Sequence, residues 1–484
     1  MVEYTPRGTD IASRILAKNT PYLVYGDPDI DGAVSEELTE RVLRAYQKPY
    51  QIYINENRRH GFHISHEDTL KLRGYTIILV DAGMTREELV YLTDLGINVI
   101  NIDHHHLAYD ELVHVISPQT GAEGVIINNQ YPFEPEDKRF LSGAGVVYFV
   151  FKSMFPTLYG KDEIALVGLT LLSDIRPLDD ELARQFLYFT YNHKSDYMQY
   201  LINVTKPQKD YGFGTQTFDR NYIDFTFSPR INALFRLNRG YEALQVFRGD
   251  YISTGQLDVF RGIQKAISDH IVVSLQGDDR SNLAFKFVDS NLQLPYPGYE
   301  ITNFVGLACS QVKNSGKTSV IFIRENGKIK RGSLRGLCND VDYLGILRRH
   351  GFKAEGHPYA CGVTEVDLAT VDLDALNAEI AQAEEGYEQR KYANRIIYVE
   401  NLAFFLNNQA DKIAEHNNYV RDNQRYYIKY TGKNATSFEK GKAKEFNIDG
   451  VKVIGFSHSL TLENDLILPV KERGSYINFY LQPY

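Results

Sequence analysis

The sequence predicts an α/β protein whose N-terminal domain is built on an open, mostly parallel sheet. The first half of the chain alternates short apolar runs with amphipathic segments, the order of strand, helix and strand that such a sheet requires. After a mainly helical connector, apolar runs typical of strands return, and the last part of the chain is rich in β segments. At 484 residues the chain is too long for one compact core. We therefore expect a second α/β domain and a small β-rich C-terminal domain.

Apolar runs and helical spacing predict the elements of the N-terminal domain. The predicted strands are 22–26, 51–55, 76–80 and 98–102. The predicted helices are 34–46, 85–96, 142–155 and 162–174. Thr85 is placed to cap the second of these helices together with Glu88. The last helix ends at Asp174, shortly before a proline that a helix does not pass.

The same pattern divides the chain into three domains joined by a connector. The predicted boundaries are 1–200 for the first domain, 201–280 for a linker segment and connector helix, 281–390 for the second α/β domain and 391–484 for the β-rich domain.

Composition and charge exclude several classes of protein. With 43% hydrophobic and 24% charged residues, the chain is of the globular class. The net charge of −9 excludes a protein coated in positive charge, but a nuclease needs cations only along its substrate track. Three cysteines without a C-x-x-C spacing indicate neither a disulfide framework nor a zinc knuckle. The N-terminus lacks the apolar run of a signal peptide and no long apolar stretch follows, so we expect a cytosolic location without membrane contact.

Carboxylates and imidazoles follow three of the predicted strands at the point where each strand ends. The first of these strands is followed by Asp27, Asp29 and Asp31, the next by Asp81, and the last by Asp103, His104, His105 and His106. In an open parallel sheet, ligands bind beyond the carboxyl ends of the strands. Alone, the Asp-rich motif could be a solvated turn and the histidines a surface tract. Their joint occurrence at successive strand ends, with Asp174 later in the chain, favours a functional site.

This set of side chains predicts a metal centre. Clustered carboxylates repel one another strongly unless cations compensate their charge. Carboxylate oxygens with a minority of imidazole nitrogens suit Mn²⁺ or Mg²⁺, whereas a structural zinc would favour thiolates. Two such ions about 3.5–4 Å apart could bind a phosphate ester and generate a nucleophile at neutral pH.

The motifs resemble those of the DHH phosphoesterases, and among them the RecJ-like single-strand exonucleases, over residues 20 to 365. Four segments match the family's motifs in order: DPDIDG at 27–32, the Asp after TIILV, Asp103-His104-His105 and the Asp of SDIRPL. The resemblance implies two divalent cations, with Asp81 bridging them. The implied metal ligands are Asp27, Asp29, Asp31, Asp81, His104 and Asp174.

The resemblance also implies roles for the neighbouring histidines. Asp103 would orient a ligand, and His105 would face the scissile phosphate and stabilise its developing charge. His106 has no counterpart in the motif, so a packing or surface role stays open beside a functional one.

Segments further along the chain point to the substrate. Four segments resemble successive RecJ-like motifs, namely LSGAGVVYF, SPRINALFR, GSLRG and EGHPYACG. GSLRG at 332–336 offers backbone amides with Ser333 and Arg335, which suit a terminal phosphate. The resemblance implies that this segment is a loop and that Ser333 and Arg335 hold the 5′ end. The resemblance adds Arg58 and Arg230 as phosphate contacts and places His357 near the cleft. NRRHGFH is one residue shorter than the family's spacing, and surface solvation is the alternative for these arginines.

The resemblance implies a manganese- or magnesium-dependent exonuclease that degrades single-stranded DNA from the 5′ end. Its products would be nucleoside 5′-phosphates, and its setting DNA repair, recombination or replication. Residues 1–200 would be the DHH domain and 281–390 the DHH-associated domain. Tyrosines of the C-terminal domain could stack on unpaired bases, although alternating aromatics also fit a core.

Two alternatives and the protein partners stay open. The first alternative is cleavage of very short oligonucleotides or cyclic dinucleotides, which other DHH enzymes perform. The second is a non-catalytic replication or repair scaffold, in which the motif carboxylates would normally be eroded. A single-strand-binding protein or a helicase stays open as a partner.

Overall fold

The chain divides into two compact units, Met1–Arg261 and Gly262–Tyr484, in a computed structural model. The residues that the structure describes are 3–55, 61–207, 218–251, 253–326, 328–366, 370–387, 396–408, 412–413, 416–417, 419–420, 426–433, 435–440, 443–455, 466–467 and 480–481. Both units combine sheets with helices, which confirms the predicted α/β class. The finer division into three domains and a connector stays a prediction.

The first unit is built on a mostly parallel sheet. Its strands are β1 Tyr22–Gly26, β2 Tyr50–Ile54, β3 Thr76–Val80, β4 Asn98–Asp103, β5 His114–Ile116 and β6 Glu123–Asn128. They lie in the order β2-β1-β3-β4-β6-β5, and all neighbours are parallel except β5 and β6. Strands β1, β3, β4 and β6 are buried along their whole length, which explains their almost continuous apolar sequences.

Helices lie between and after these strands along the chain. They are α1 Thr9–Leu16, α2 Ile30–Ala45, α3 His66–Lys71, α4 Arg86–Asp94, α5 Gly143–Met154, α6 Lys161–Ser173, α7 Glu181–Asn192, α8 Asp196–Thr205, α9 Arg220–Tyr222, α10 Ser228–Arg236, α11 Gly240–Arg248 and α12 Thr254–Val273, with a 3₁₀ turn at Glu136–Lys138 and a π-helical turn at Ile223–Phe227. The capping box of Thr85 and Glu88 is confirmed at the start of α4.

One predicted helix boundary is wrong in an informative way. Helix α2 begins at Ile30 rather than at residue 34, because the Asp29 side chain accepts a hydrogen bond from the Gly32 amide and caps the helix. Asp31 therefore lies in the first turn of α2 and not in a loop ahead of it.

The core of the first unit packs against the central strands. Leu23, Ile77, Leu79, Leu92 and Val99 are almost completely buried in one cluster. Burying each such side chain contributes about 1.5–3 kcal/mol. The core therefore fixes the strands whose carboxyl ends carry the candidate ligands.

The second unit contains two further sheets. Its strands are β7 Gln276–Asp279, β8 Leu283–Asp289, β9 Thr318–Glu325, β10 Lys328–Arg335, β11 Lys353–His357, β12 Ala360–Glu365, β13 Ile396–Val399, β14 Tyr427–Tyr430, β15 Ala435–Lys440, β16 Ala443–Ile448, β17 Val451–Gly455, β18 Leu466–Ile467 and β19 Tyr480–Leu481. Its further helices are α13 Thr302–Lys313, α14 Tyr343–Arg349, α15 Leu373–Glu384 and α16 Leu402–Asn408. The sheet orders are β11-β12-β10-β9-β8-β7 and β13-β14-β18-β19-β17-β16-β15.

Each sheet of the second unit has its own buried core. Phe285, Phe322 and Tyr343 belong to the core of the first of these sheets, and Ile428 and Phe446 belong to that of the second.

Among the helices that the structure describes, none is both long enough and apolar enough to cross a membrane.

Candidate metal centre

The carboxyl ends of the central strands lie in register, and this brings their following residues to one edge of the sheet. Gly26 pairs with Val80, and Val80 pairs with Ile102. Asp103 ends β4 opposite Asn128 at the end of β6. Because parallel strands point the same way, the acidic residues that follow them meet at this edge.

Asp31 is held by the first backbone amides of α5. Its Oδ2 accepts from the Gly143 amide at 2.7 Å, and its Oδ1 accepts from the Ala144 amide at 3.0 Å. The positive end of the helix dipole favours a carboxylate at this place. Helix α5 begins there because Ser142 caps it through the Gly145 amide.

Asp81 occupies a tight turn directly after β3. Its φ angle is +55°, a left-handed conformation that is uncommon outside glycine but more frequent for Asp and Asn. The buried amide of Asn101 donates to the carbonyl of Ala82 at 2.8 Å, and the Asp81 amide donates to the carbonyl of Ile102 at 2.9 Å. Gly143 leaves room for the carboxylate, because a Cβ there would lie only 2.3 Å from Asp81 Oδ1.

His104 lies at the centre of the carboxylates. Its Nε2 is 3.1 Å from Asp81 Oδ1, 3.7 Å from Asp31 Oδ2 and 3.7 Å from Asp174 Oδ2. One ligand atom from each of Asp31, His104 and Asp174 lies within 4.8 Å of the others. Asp81, Asp103, His104 and His105 form a second such set. The two sets share His104, so they are parts of one candidate centre.

Burial makes ionisation of these carboxyls unfavourable in the absence of a cation. Burial and then Asp29 raise the pKa of Asp31 to about 6. The pKa values of Asp81 and Asp174 lie well above the ordinary value, first because of burial and then because of Asp31. A cation bound beside these carboxyls would lower their pKa values and so favour the ionised form.

The residues present fit a divalent cation. Asp81 Oδ1 and Asp174 Oδ2 are buried, and neither accepts a hydrogen bond from the residues that the structure describes. Buried polar atoms in proteins normally have such partners. A donor set rich in carboxylate oxygen with one imidazole is the set that Mn²⁺ and Mg²⁺ accept.

Asp103 and His105 form a charged pair beside this centre. Asp103 Oδ1 lies 2.7 Å from His105 Nδ1. Asp103 raises the pKa of His105 to about 10, so the imidazole is protonated at neutral pH. Although burial alone would raise the pKa of Asp103, His105 and the backbone amides hold it below its ordinary value. The His105 side chain is 48% exposed, so its ring is open to a substrate.

The remaining predicted residues of this region have different surroundings. Asp27 is buried at the same edge, and Asp29 caps α2, but both lie outside the two sets of converging ligand atoms. His106 is exposed. Arg58 lies outside the described residues. The ligand roles of Asp27 and Asp29 and the phosphate contact of Arg58 stay predictions.

Arg230 is held within the first unit. Its Nε and Nη2 donate to Asp258 Oδ1 at 3.0 and 2.6 Å, and its Nη1 donates to the carbonyl of Thr226 at 3.1 Å. A phosphate would therefore have to share this guanidinium with Asp258. Its role as a phosphate contact stays a prediction.

The expected loop at 332–336 is wrong, because most of this segment is a strand. Gly332 to Arg335 belong to β10, which pairs with β9 on one side and with β12 on the other. Backbone amides in an antiparallel ladder between two neighbours are used by the sheet and cannot cradle a phosphate. Only side chains of this segment remain available for the predicted role.

The side chains of Ser333 and Arg335 do lie together. Arg335 Nη1 donates to Ser333 Oγ at 3.0 Å and to the carbonyl of Leu334 at 2.7 Å. His357 ends β11, where it is exposed and its ring stacks on Tyr359 at 6.3 Å. The substrate roles of these residues stay predictions.

Three further residues, which no sequence motif indicated, support the centre. Asn128 donates to the His105 carbonyl at 3.0 Å and to Asp103 Oδ2 at 3.4 Å. It ends a strand, so the same strand-end argument could have found it. Asn101 supports the Asp81 turn, and Arg176 lies near Asp174 with its Nε 3.8 Å from Asp174 Oδ2. Neither of these two carries a signal in the sequence.

Comparison with known proteins agrees with this geometry. The profile of the DHH family, N-terminal domain, matches residues 21–172. No curated protein sequence is significantly similar to the chain.

Solved structures share the fold at low sequence identity. RecJ from Thermus thermophilus in complex with Mn²⁺ matches with a TM-score of 0.67 and 17% identity, covering 99% of this chain and 72% of that chain. The Mg²⁺ complex from the same organism matches with a TM-score of 0.62 and 15% identity, covering 99% and 70%. An exonuclease RecJ bound to manganese matches with a TM-score of 0.55 and 18% identity, covering 80% and 96%. Residues 21–172 therefore match the DHH family, N-terminal domain, and the chain shares the fold of RecJ.

Proposed function

We propose that the chain is a divalent-metal-dependent exonuclease that hydrolyses single-stranded DNA from the 5′ end. The observation that carries this proposal is the convergence of Asp31, Asp81 and Asp174 on His104 at the carboxyl ends of the strands. This convergence lies largely within the segment that matches the DHH family. The likeness to RecJ structures that contain Mn²⁺ or Mg²⁺ supports the choice of ion, with Mn²⁺ favoured.

Six side chains would hold two divalent ions. They are Asp27, Asp29, Asp31, Asp81, His104 and Asp174. Bound ions would neutralise these carboxylates, supply a nucleophile at neutral pH and stabilise the charge that develops on the phosphate.

His105 would balance charge on the substrate from the exposed side of the centre. With its Nδ1–H donated to Asp103, its Nε2–H remains to donate to a phosphate oxygen. Asn128 holds both members of the pair in this orientation through the His105 carbonyl and Asp103 Oδ2. If negative charge accumulates on the phosphate oxygens in the transition state, the protonated imidazole stabilises the transition state more strongly than the ground state.

The overall reaction is hydrolysis of a phosphodiester. Water adds to phosphorus and the bond to O3′ of the terminal nucleotide breaks, which releases a nucleoside 5′-phosphate. Ser333 and Arg335 would hold the terminal phosphate through their side chains, with Arg58, Arg230 and His357 as further contacts. DNA repair, recombination or replication is the setting that we propose for this activity.

One digestion series tests the substrate and the direction. We expect Mn²⁺-dependent release of mononucleotides from 5′-labelled single-stranded DNA before any label appears from the 3′ end, and little cleavage of duplex or RNA. Cleavage confined to di- to pentanucleotides would instead favour the short-oligonucleotide alternative. A folded, metal-binding protein that cleaves none of these substrates would favour the scaffold.

Substitution of Asp81 tests the centre itself. Asp81→Ala should lower kcat by at least about 10³-fold, on the order of 4 kcal/mol of transition-state stabilisation, while circular dichroism remains unchanged. Asp179→Ala changes an exposed carboxylate shortly after Asp174 and should retain full activity. A manganese-dependent Asp81→Ala enzyme of wild-type rate would refute the role of Asp81.

A further inference from the structure

Arg176 forms a clamp two residues beyond Asp174. Its side chain is only 15% exposed. Nε donates to the carbonyl of Phe140 at 3.1 Å, and Nη2 donates to the carbonyl of Arg139 at 2.6 Å. Nε also lies 3.8 Å from Asp174 Oδ2. The planar guanidinium thus connects the Asp174 turn to a segment from another part of the chain.

That segment leads directly into the structure that holds Asp31. Arg139 and Phe140 are followed by Leu141 and by Ser142, the cap of α5. The next two amides of the chain bind the Asp31 carboxylate. The Arg176 clamp therefore ties the residue that carries one candidate ligand to the backbone that fixes another.

A second contact runs parallel to the clamp. Ser142 Oγ lies 2.7 Å from Thr170 Oγ1, one helical turn before Asp174 on α6. Thr170 fixes the body of α6 against α5, but it precedes the helix end. Arg176 lies beyond the end of α6, and its hydrogen bonds to Arg139 and Phe140 hold the turn that contains Asp174.

The turn that Arg176 holds has a strained backbone. Ile175 has a φ angle of +53° and is 52% exposed. A left-handed conformation costs a β-branched residue about 1–2 kcal/mol, and such strain persists only where the surroundings over-determine it. The amide of Ile175 donates to the Leu172 carbonyl and that of Arg176 to the Leu171 carbonyl, which closes the turn.

We propose that Arg176 is a positioning residue that sets the spacing between the Asp174 and Asp31 carboxylates for a divalent cation. Their ligand atoms lie within 4.8 Å of each other and of His104. The inference rests on the proposed metal-dependent function. A guanidinium suits this task because its planar fork donates to two carbonyls at once, whereas a lysine ammonium is a point donor on a flexible stem.

The alternative is that Arg176 acts only through its charge. A positive charge beside Asp174 would oppose cation binding, so its removal alone would tighten the affinity for Mn²⁺. Positioning and charge therefore predict opposite results for the same substitution.

Mn²⁺ titration of the full chain by calorimetry distinguishes these roles. We expect Arg176→Lys and Arg176→Met both to weaken Mn²⁺ binding by about tenfold or more, because neither keeps the two carbonyl contacts. Arg184→Met removes an exposed arginine of α7 and should bind Mn²⁺ like the wild type. Circular dichroism and thermal unfolding in EDTA report the fold independently of the metal.

Several results would overturn the inference. Tighter binding by Arg176→Met with wild-type binding by Arg176→Lys would assign a role to charge alone. Unchanged affinity in both variants would remove any role at the centre. If Arg176→Met does not fold, Arg176→Lys decides. A wild-type chain that binds no Mn²⁺ would overturn the proposed function, and this inference with it.

Discussion

At the scale of single residues, three buried glutamates of α2 differ in whether arginines bind their carboxylates. Glu37 and Glu40 accept hydrogen bonds from arginines, and Arg248 donates to both oxygens of Glu40. Glu36 is also buried, but its Oε1 has no hydrogen-bond partner among the described residues. Its side chain packs on Gly26, immediately before the Asp-rich turn. This buried carboxyl, with one oxygen left without a hydrogen bond, is therefore a local weakness in the fold.

The pKa of Glu36 predicts how stability depends on pH. Burial and then Glu40 raise this pKa well above its ordinary value, and Asp27 adds to the rise, while a hydrogen bond from the backbone of Gly26 and the charge of Arg248 oppose it. Because the unfolded chain gives up this proton first, the contribution of Glu36 to stability is lost as pH rises above about 4.5. Glu36→Gln should therefore be more stable than the wild type at pH 8 by about 1–3 kcal/mol, and by less at pH 5.

Urea unfolding in EDTA at the two pH values measures this difference. Glu67→Gln, at a side chain that is 87% exposed, is the matched control and should follow the wild type at both values. A stability difference for Glu36→Gln that is the same at both pH values would contradict the assignment.

At the scale of elements, the ends of strands and helices decide where the ligands lie. Strands β1, β3 and β4 end in register, and α5 begins where its amides meet Asp31. The beginning of α5 also has to be small, because Gly143 lies against Asp81. The first turn of this helix therefore shapes the space for two candidate ligands.

A methyl group at Gly143 tests this packing. In Gly143→Ala the new Cβ would lie 2.3 Å from Asp81 Oδ1, so the carboxylate must move. We expect activity to fall by about 10²-fold or more, since a displacement on the order of 1 Å has this effect on positioned groups. Gly145→Ala on the same turn would meet only the flexible Leu141 side chain at 3.1 Å and should stay active. If Gly143→Ala binds Mn²⁺ with wild-type affinity and has the wild-type kcat, the centre tolerates the displacement of Asp81 and this expectation is wrong.

At the scale of the whole molecule, the acidic centre links stability to metal binding. The first unit buries several carboxyls whose pKa values are raised in the absence of a cation. An ion that binds the folded state and not the unfolded one adds to the free energy of unfolding by mass action. The metal-free chain should therefore be markedly less stable than the loaded chain.

Metal removal measures this linkage directly. At free Mn²⁺ about 100 times its dissociation constant, stability should rise by about 2.7 kcal/mol, and excess EDTA should reverse the rise. Differential scanning calorimetry of the full chain would report it as an increase in Tm. Asp81→Ala should show no more than a small increase. An equal increase in that variant would place the stabilising ion elsewhere.

Much of the first unit could be predicted from the sequence because its signals are local. Runs such as 22–26 and 76–80 are buried strands with the predicted bounds, and the capping box at Thr85 needs only neighbours in the chain. The start of α2 was misplaced because an Asp that looks like a ligand is also a good helix cap. The loop expected at 332–336 rested on the family resemblance, whereas pairing with strands on both sides holds most of this segment in a sheet.

The sequence by itself determined the α/β class, the acidic strand ends and the resemblance to the DHH phosphoesterases. These follow from periodicity and from residues close together in the chain. Only the tertiary structure decided that Asp174 meets His104, that the amides of α5 hold Asp31, and that Arg176 joins the two. Such contacts connect residues that are far apart in sequence, and they depend on how helices pack on the sheet, which no local pattern encodes.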